Sequence, residues 1–204
     1  MNNSQQTNKT EPRIKGIDFK PFIEPELDAR YYLQLPPDKV VITMISPLKK
    51  DQGHCLFLRM ASNLVKKYHN AHFLIAHEEI DFEFQREFSG LIENKNLEGK
   101  LDIIKNIKGI PDILKATDIF VYLKEKGDEF PTVILKAMAT GLPVVSIKTS
   151  LFQKVILHEE TGFLIENNDI ESAIQKISLL MENPNMSKKM GKLGQERIIN
   201  HFSN

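Results

Sequence analysis

The chain has 204 residues, 41% hydrophobic and 26% charged, the composition of an ordinary folded domain with enough apolar residues for one core. Lysine plus arginine equal aspartate plus glutamate at 27 each, which argues against a general nucleic-acid binder, and the single Cys55 excludes an internal disulfide and a cysteine-based metal cluster. No apolar run approaches the ~20 residues needed to span a bilayer and MNNSQQTNKTEPR has no apolar signal core, so a cytoplasmic setting is expected.

Residues 1–14, rich in Asn, Gln, Ser, Thr and Lys, read as a disordered polar tail. Residues 15–38 carry several prolines among mixed apolar residues and read as an irregular lead-in with a short helix near Pro25–Leu33. From residue 39 to 204 the pattern becomes that of a single domain. VVITMIS (40–46) is a continuous β-branched run, the signature of a buried parallel strand. A helix follows at 55–69, with apolar residues three and four apart; on it Cys55 is expected as a small core residue. AHFLIAH (71–77) is a second strand and 82–96 a second helix. LDIIKNI (101–107), DIFVYL (118–123), LPVVSI (142–147) and TGFLIE (161–166) are further strands. Helices are expected at 110–117, about 131–140, 169–183 and 185–202, with a helical turn at 151–157. This alternation predicts an α/β fold: one Rossmann-like domain with a parallel sheet of about six strands and helices on both faces.

In such sheets ligands bind beyond the carboxyl ends of the strands, so the loops there hold the candidate site. SPLKKDQGHC, after the first strand, offers Lys49 and Lys50 to an anion, with a solvated lysine pair as the alternative; Gly53 permits a tight turn. KEKGDEFPT, after the fourth strand, leads into a helix with Pro131 at its first position. The amides of Thr132 and Val133 then point outward at the positive end of the helix dipole, behind Asp128, Glu129 and Phe130. Six histidines form no metal-ligand spacing, and no metal is expected. His77 ends the second strand and is expected at the surface, with the cleft wall as the alternative.

Five segments in order carry a resemblance: VITMISPLKKDQGH, KKYHNAHFLIAH, IPDILKATDIFVYL, DEFPTVILKAMATGLPVV and HEETGFLIENND. Together, over about residues 15–204, they resemble the C-terminal, donor-binding domain of the retaining GT-B glycosyltransferases of family 4, the glycosyl transferases group 1. The resemblance implies one half of a two-domain enzyme: a nucleotide-diphosphate-sugar site facing an acceptor-binding domain. An Arg and a Lys that neutralise the donor diphosphate in that family fall on Pro47 and Gln52. Two glutamates eight positions apart fall on Asp128, beside the transferred sugar, and on Lys136, where the ribose would be held.

Those departures have a chemical meaning. Proline offers neither charge nor donor, glutamine no charge, and an ammonium three donors and no acceptor. Asp128 keeps its charge, and Lys49 and Lys50 restore some positive charge. The expectation is therefore a donor-type domain with degenerate site residues, not catalytic alone and awaiting a separate acceptor-domain chain. The alternative is a non-catalytic binding or assembly module that docks a protein partner through the former cleft face. Neither needs a cofactor, and either could sit peripherally on the inner membrane face.

Overall fold

The computed structural model describes residues 16–24, 28–93, 95–105, 109–124 and 131–202. The expected tail 1–14 lies outside the described residues. Two short helices, α1 (Lys20–Ile23) and α2 (Ala29–Tyr32), precede the sheet. The rest runs β1 (Val40–Ile45), α3 (His54–Lys67), β2 (Ala71–His77), α4 (Phe82–Glu93), β3 (Leu101–Lys105), α5 (Ile110–Lys115), β4 (Ile119–Tyr122) and α6 (Thr132–Ala139). It closes with β5 (Val144–Ile147), a 3-10 turn at Phe152–Lys154, β6 (Gly162–Ile165), α7 (Ile170–Glu182) and α8 (Pro184–His201). The expected α/β fold is thus present, a six-stranded all-parallel sheet in the order β3-β2-β1-β4-β5-β6.

Alternation along each strand divides the core in two. Val41, Ile45, Phe120 and Val144 face α5, α6 and α8, whereas Ile42, Met44, Phe73 and Val121 face α3, α4 and α7. Both faces are covered, which is why β1 and β2 read as unbroken apolar runs. The described part of the lead-in packs on the sheet's α5–α6 face. Phe19 and Phe22 are buried against the α5–α6 face, and the helix expected at Pro25–Leu33 is the single turn of α2, with α1 ahead of it.

Arg30 of α2 ties the lead-in to the amino edge of the sheet. Its guanidinium donates to the carbonyls of Ala116, Pro37 and Lys39 and to the Asp118 carboxylate, which also accepts from the Val41 amide at 2.7 Å. The far end of the chain is seated as closely. A Cβ on Gly191 of α8 would lie 1.9 Å from the Gly141 carbonyl, so only glycine lets α8 approach the turn after α6.

Candidate functional site

Strand order reverses between β1 and β4, and the loops leaving their carboxyl ends meet there. Gly53, with φ 88°, makes that meeting possible: a Cβ on it would stand 2.6 Å from the Leu123 carbonyl oxygen. The 46–53 loop is strapped to the loop after β2. The Leu48 amide donates to Glu79 O and the Asp81 amide to Leu48 O, both at 2.9 Å. Lys49 Nζ reaches Glu79 Oε2 at 2.6 Å, and this partner lowers the Glu79 carboxyl below its usual range.

Beneath this strap a cavity of about 340 Å³ opens above the amino end of α3, lined among others by Lys49, Lys50, Gly53, His54, Glu87 and Leu123. Lys50 is exposed there, whereas the Lys49 ammonium is paired with Glu79. Cys55 lies on the same wall and is exposed, which corrects the expectation of a core cysteine: it falls on the outward side of α3, while Phe57 and Leu58 face inward. Partial burial and the Glu87 and Asp51 carboxylates push its thiol up, so it is a poor nucleophile. Of the two degenerate positions, Pro47 is half-buried in the loop, and the Gln52 Oε1 is buried with no hydrogen-bond partner.

The second half of the expected site stands apart. Pro131 occupies the cap position, so α6 begins one residue later than expected, at Thr132. Thr132 is exposed and Val133 half-buried against the α1–α5–α6 core. Lys136 extends over the Phe22 ring, 5.8 Å from its centroid, toward α1 rather than along the cavity wall. Asp128, Glu129 and Phe130 lie outside the described residues. Among the described residues no cluster of three or more metal-ligating side chains occurs.

Sequence reasoning missed two residues of this edge. His54 and His77 are 1% and 2% exposed, so His77 is neither at the surface nor on the cavity wall. His54 Nε2 contacts Ser46 Oγ at 3.3 Å, and its ring packs against Phe88 at 5.5 Å and Phe84 at 6.0 Å. His54 Nδ1 and both His77 nitrogens have no hydrogen-bond partner. Burial, and then the neighbouring His77, pushes His54 down to about 4; burial chiefly lowers His77 as well. Both rings are therefore neutral at pH 7. The available signal was His77 closing an uninterrupted buried run, AHFLIAH.

A parallel sheet in this order, with its cavity at the β1–β4 reversal, is Rossmann-like, and its match to a glycosyl transferase C-terminal domain makes it the C-terminal half of a GT-B fold. The chain belongs to the family described as glycosyl transferases group 1, whose model matches residues 28–197. It is 24% identical over 195 residues to the capsular polysaccharide biosynthesis glycosyltransferase CapM of Staphylococcus aureus, covering 92% of this chain and 49% of CapM. The chain spans half or less of the first curated relatives it matches. Its fold is also that of the C-terminal domain of LpcC, a glycosyl transferase group 1 family protein from Francisella tularensis. The TM-score is 0.82 at 22% identity, over 91% of this chain and 98% of that one. Anabaena Alr3699/HepE, solved in complex with UDP, matches with a TM-score of 0.84 at 18% identity, over 92% of this chain and 52% of that one.

Proposed function

We propose that the chain is a nucleotide-sugar-binding half of a glycosyltransferase whose grip on the donor diphosphate is weakened, and that it does not transfer sugar by itself. Family membership and the UDP held by HepE support the ligand class. The observation that carries the weakened grip is the cavity itself: Lys49 on its wall is paired with Glu79, Pro47 and Gln52 bring no charge, and Lys136 lies over Phe22 instead. A charge-assisted hydrogen bond contributes about 1.5–3 kcal/mol, so two missing ones weaken binding about a hundredfold or more. Transfer also needs the acceptor hydroxyl positioned against the sugar. An acceptor-binding domain, in this polypeptide or in another, would supply that positioning. The lone exposed thiol of Cys55 suits a reducing, cytoplasmic compartment.

Thermal shift with UDP, GDP, ADP and their sugars tests this reading. The expected result is a small shift at millimolar nucleotide, and a larger one for the triple variant Pro47→Arg, Gln52→Lys, Lys136→Glu. No shift in either protein would sink the nucleotide reading. That outcome would leave the second reading, a module that docks a protein through this face. Phe82 supports it, standing 78% exposed at the start of α4 beside the Lys49–Glu79 strap.

A further inference from the structure

The loop that forms the cavity wall is closed at its base by a contact between the last residue of one element and the first of the next. Ser46 follows β1, His54 opens α3, and their side chains meet at 3.3 Å. Under this closure lies His77, at the carboxyl end of β2, with both ring nitrogens buried and unpartnered. Two buried imidazoles thus share this end of the sheet, near enough for His77 to act on His54, and the Ser46 contact is the one side-chain hydrogen bond they make among the described residues.

The surroundings decide what a proton would do there. Toward His54, β1 presents the Ser46 hydroxyl, the loop presents the Lys49 backbone, α4 presents the Phe84 and Phe88 rings, and β2 presents His77. Lys50, Asp51 and Glu87 line the same cavity. Toward His77, β3 presents the cation of Lys105, and the loop after β2 presents the Glu79 backbone. Neither ring is paired with a carboxylate among the described residues, unlike His72, which meets Asp102 at 2.7 Å. An imidazolium here would be buried beside a second imidazole and a lysine, with two aromatic rings over it. The loop is held by two backbone hydrogen bonds, by Leu48 buried in the core and by one exposed ion pair, and the residues around Leu48 are the part that can move aside and admit water.

We propose that His54 and His77 form an acid-sensitive latch: neutral, they let the 46–54 loop close on the strand ends, and protonated, they drive it open together with the 78–81 strap. The depressed ring pKa values agree with this, since both rings stay neutral while the loop is shut. The consequence is regulation of the proposed donor site, and it rests on that reading only to this extent: an open loop removes Lys49 and Lys50 from the cavity. The opening itself needs no ligand.

Hydrogen exchange of the whole chain, read by mass spectrometry from pH 7.5 to 4.5 with times scaled for intrinsic exchange, tests the latch. Peptides covering 46–54 and 77–82 should lose about tenfold or more of their protection, the response to one or more pH units of suppressed protonation. Those from β5 and α7 should keep theirs. His77→Leu and, separately, His54→Phe should flatten the loop's pH response. A histidine NMR titration of the wild-type chain supplies a check that no variant can spoil: both rings should titrate well below 6.5, in step with the loop amides. Rings titrating at 6.5, uniform loss of protection across the sheet, or an unchanged response in both variants would each overturn the latch. Loop opening without any UDP shift at pH 7 would retire the nucleotide reading and leave the latch standing. A UDP shift of equal size at pH 7 and pH 5 would do the reverse.

Discussion

The two ends of the strands treat their polar groups in opposite ways. At the amino edge, Arg30 finds four acceptors and Asp118 accepts from both a guanidinium and a backbone amide. At the carboxyl edge, His54, His77 and Gln52 leave ring nitrogens and an amide oxygen without partners. An unsatisfied buried polar atom costs about 1–3 kcal/mol, and here that cost is carried by the core and by the backbone strap between the loops after β1 and β2. The division follows the usual separation of anchoring from ligand-binding edges in parallel sheets.

Removing Arg30 should hurt most. Arg30→Ala leaves the Asp118 carboxylate and three carbonyls without their donor, and denaturant unfolding should show a loss of about 3 kcal/mol, moderated because Asp118 is partly exposed. If the loss is under about 1 kcal/mol, the amino edge is not the anchor.

Acid should probe the other edge. His54 carries a folded-state pKa of about 4 against an ordinary 6.5. Above pH 6.5 both folded and unfolded forms hold a neutral ring, and the full stability is present. As pH falls from 6.5 towards 4 the unfolded chain takes up the proton and the folded one does not, so stability drops by about 1.4 kcal/mol per pH unit, approaching 3 kcal/mol. Urea midpoints of the wild type and His54→Phe should diverge across that window, and parallel curves would show that the ring is solvated.

Gly53→Ala should do less. It forces an alanine into a left-handed backbone and against Leu123, at about 1–3 kcal/mol, and it should lower the melting temperature accordingly.

Much of this architecture was readable in advance. The six strands, their parallel arrangement and the long helices followed from unbroken β-branched runs such as VVITMI and from three-and-four spacing in α3 and α7. The candidate site was legible only in part. Lys49, Lys50 and Gly53 were placed correctly at the β1 loop, because loops beyond strand ends are fixed by topology. Lys136 could not be aimed from sequence: its direction depends on Phe22, 114 positions away in the chain, and on a one-turn helix in a segment that read as irregular. His77 was hidden for a similar reason. A histidine ending a strand looks solvent-facing until the loop after β1 is known to lie over it.

One feature of the far end sets the order in which the molecule can be finished. α6 ends at Ala139, and its last carbonyl accepts from Gln195 Nε2 at 2.7 Å, while Gly191 rests on Gly141 and Ile198 joins the same core. All three partners come from α8, which leaves the ribosome after every strand of the sheet. During synthesis the helix that carries Lys136 therefore waits, half-covered, for some fifty residues to follow it. A chain stalled or cut before Pro184 would hold all six strands yet leave the apolar flank of α6 uncovered.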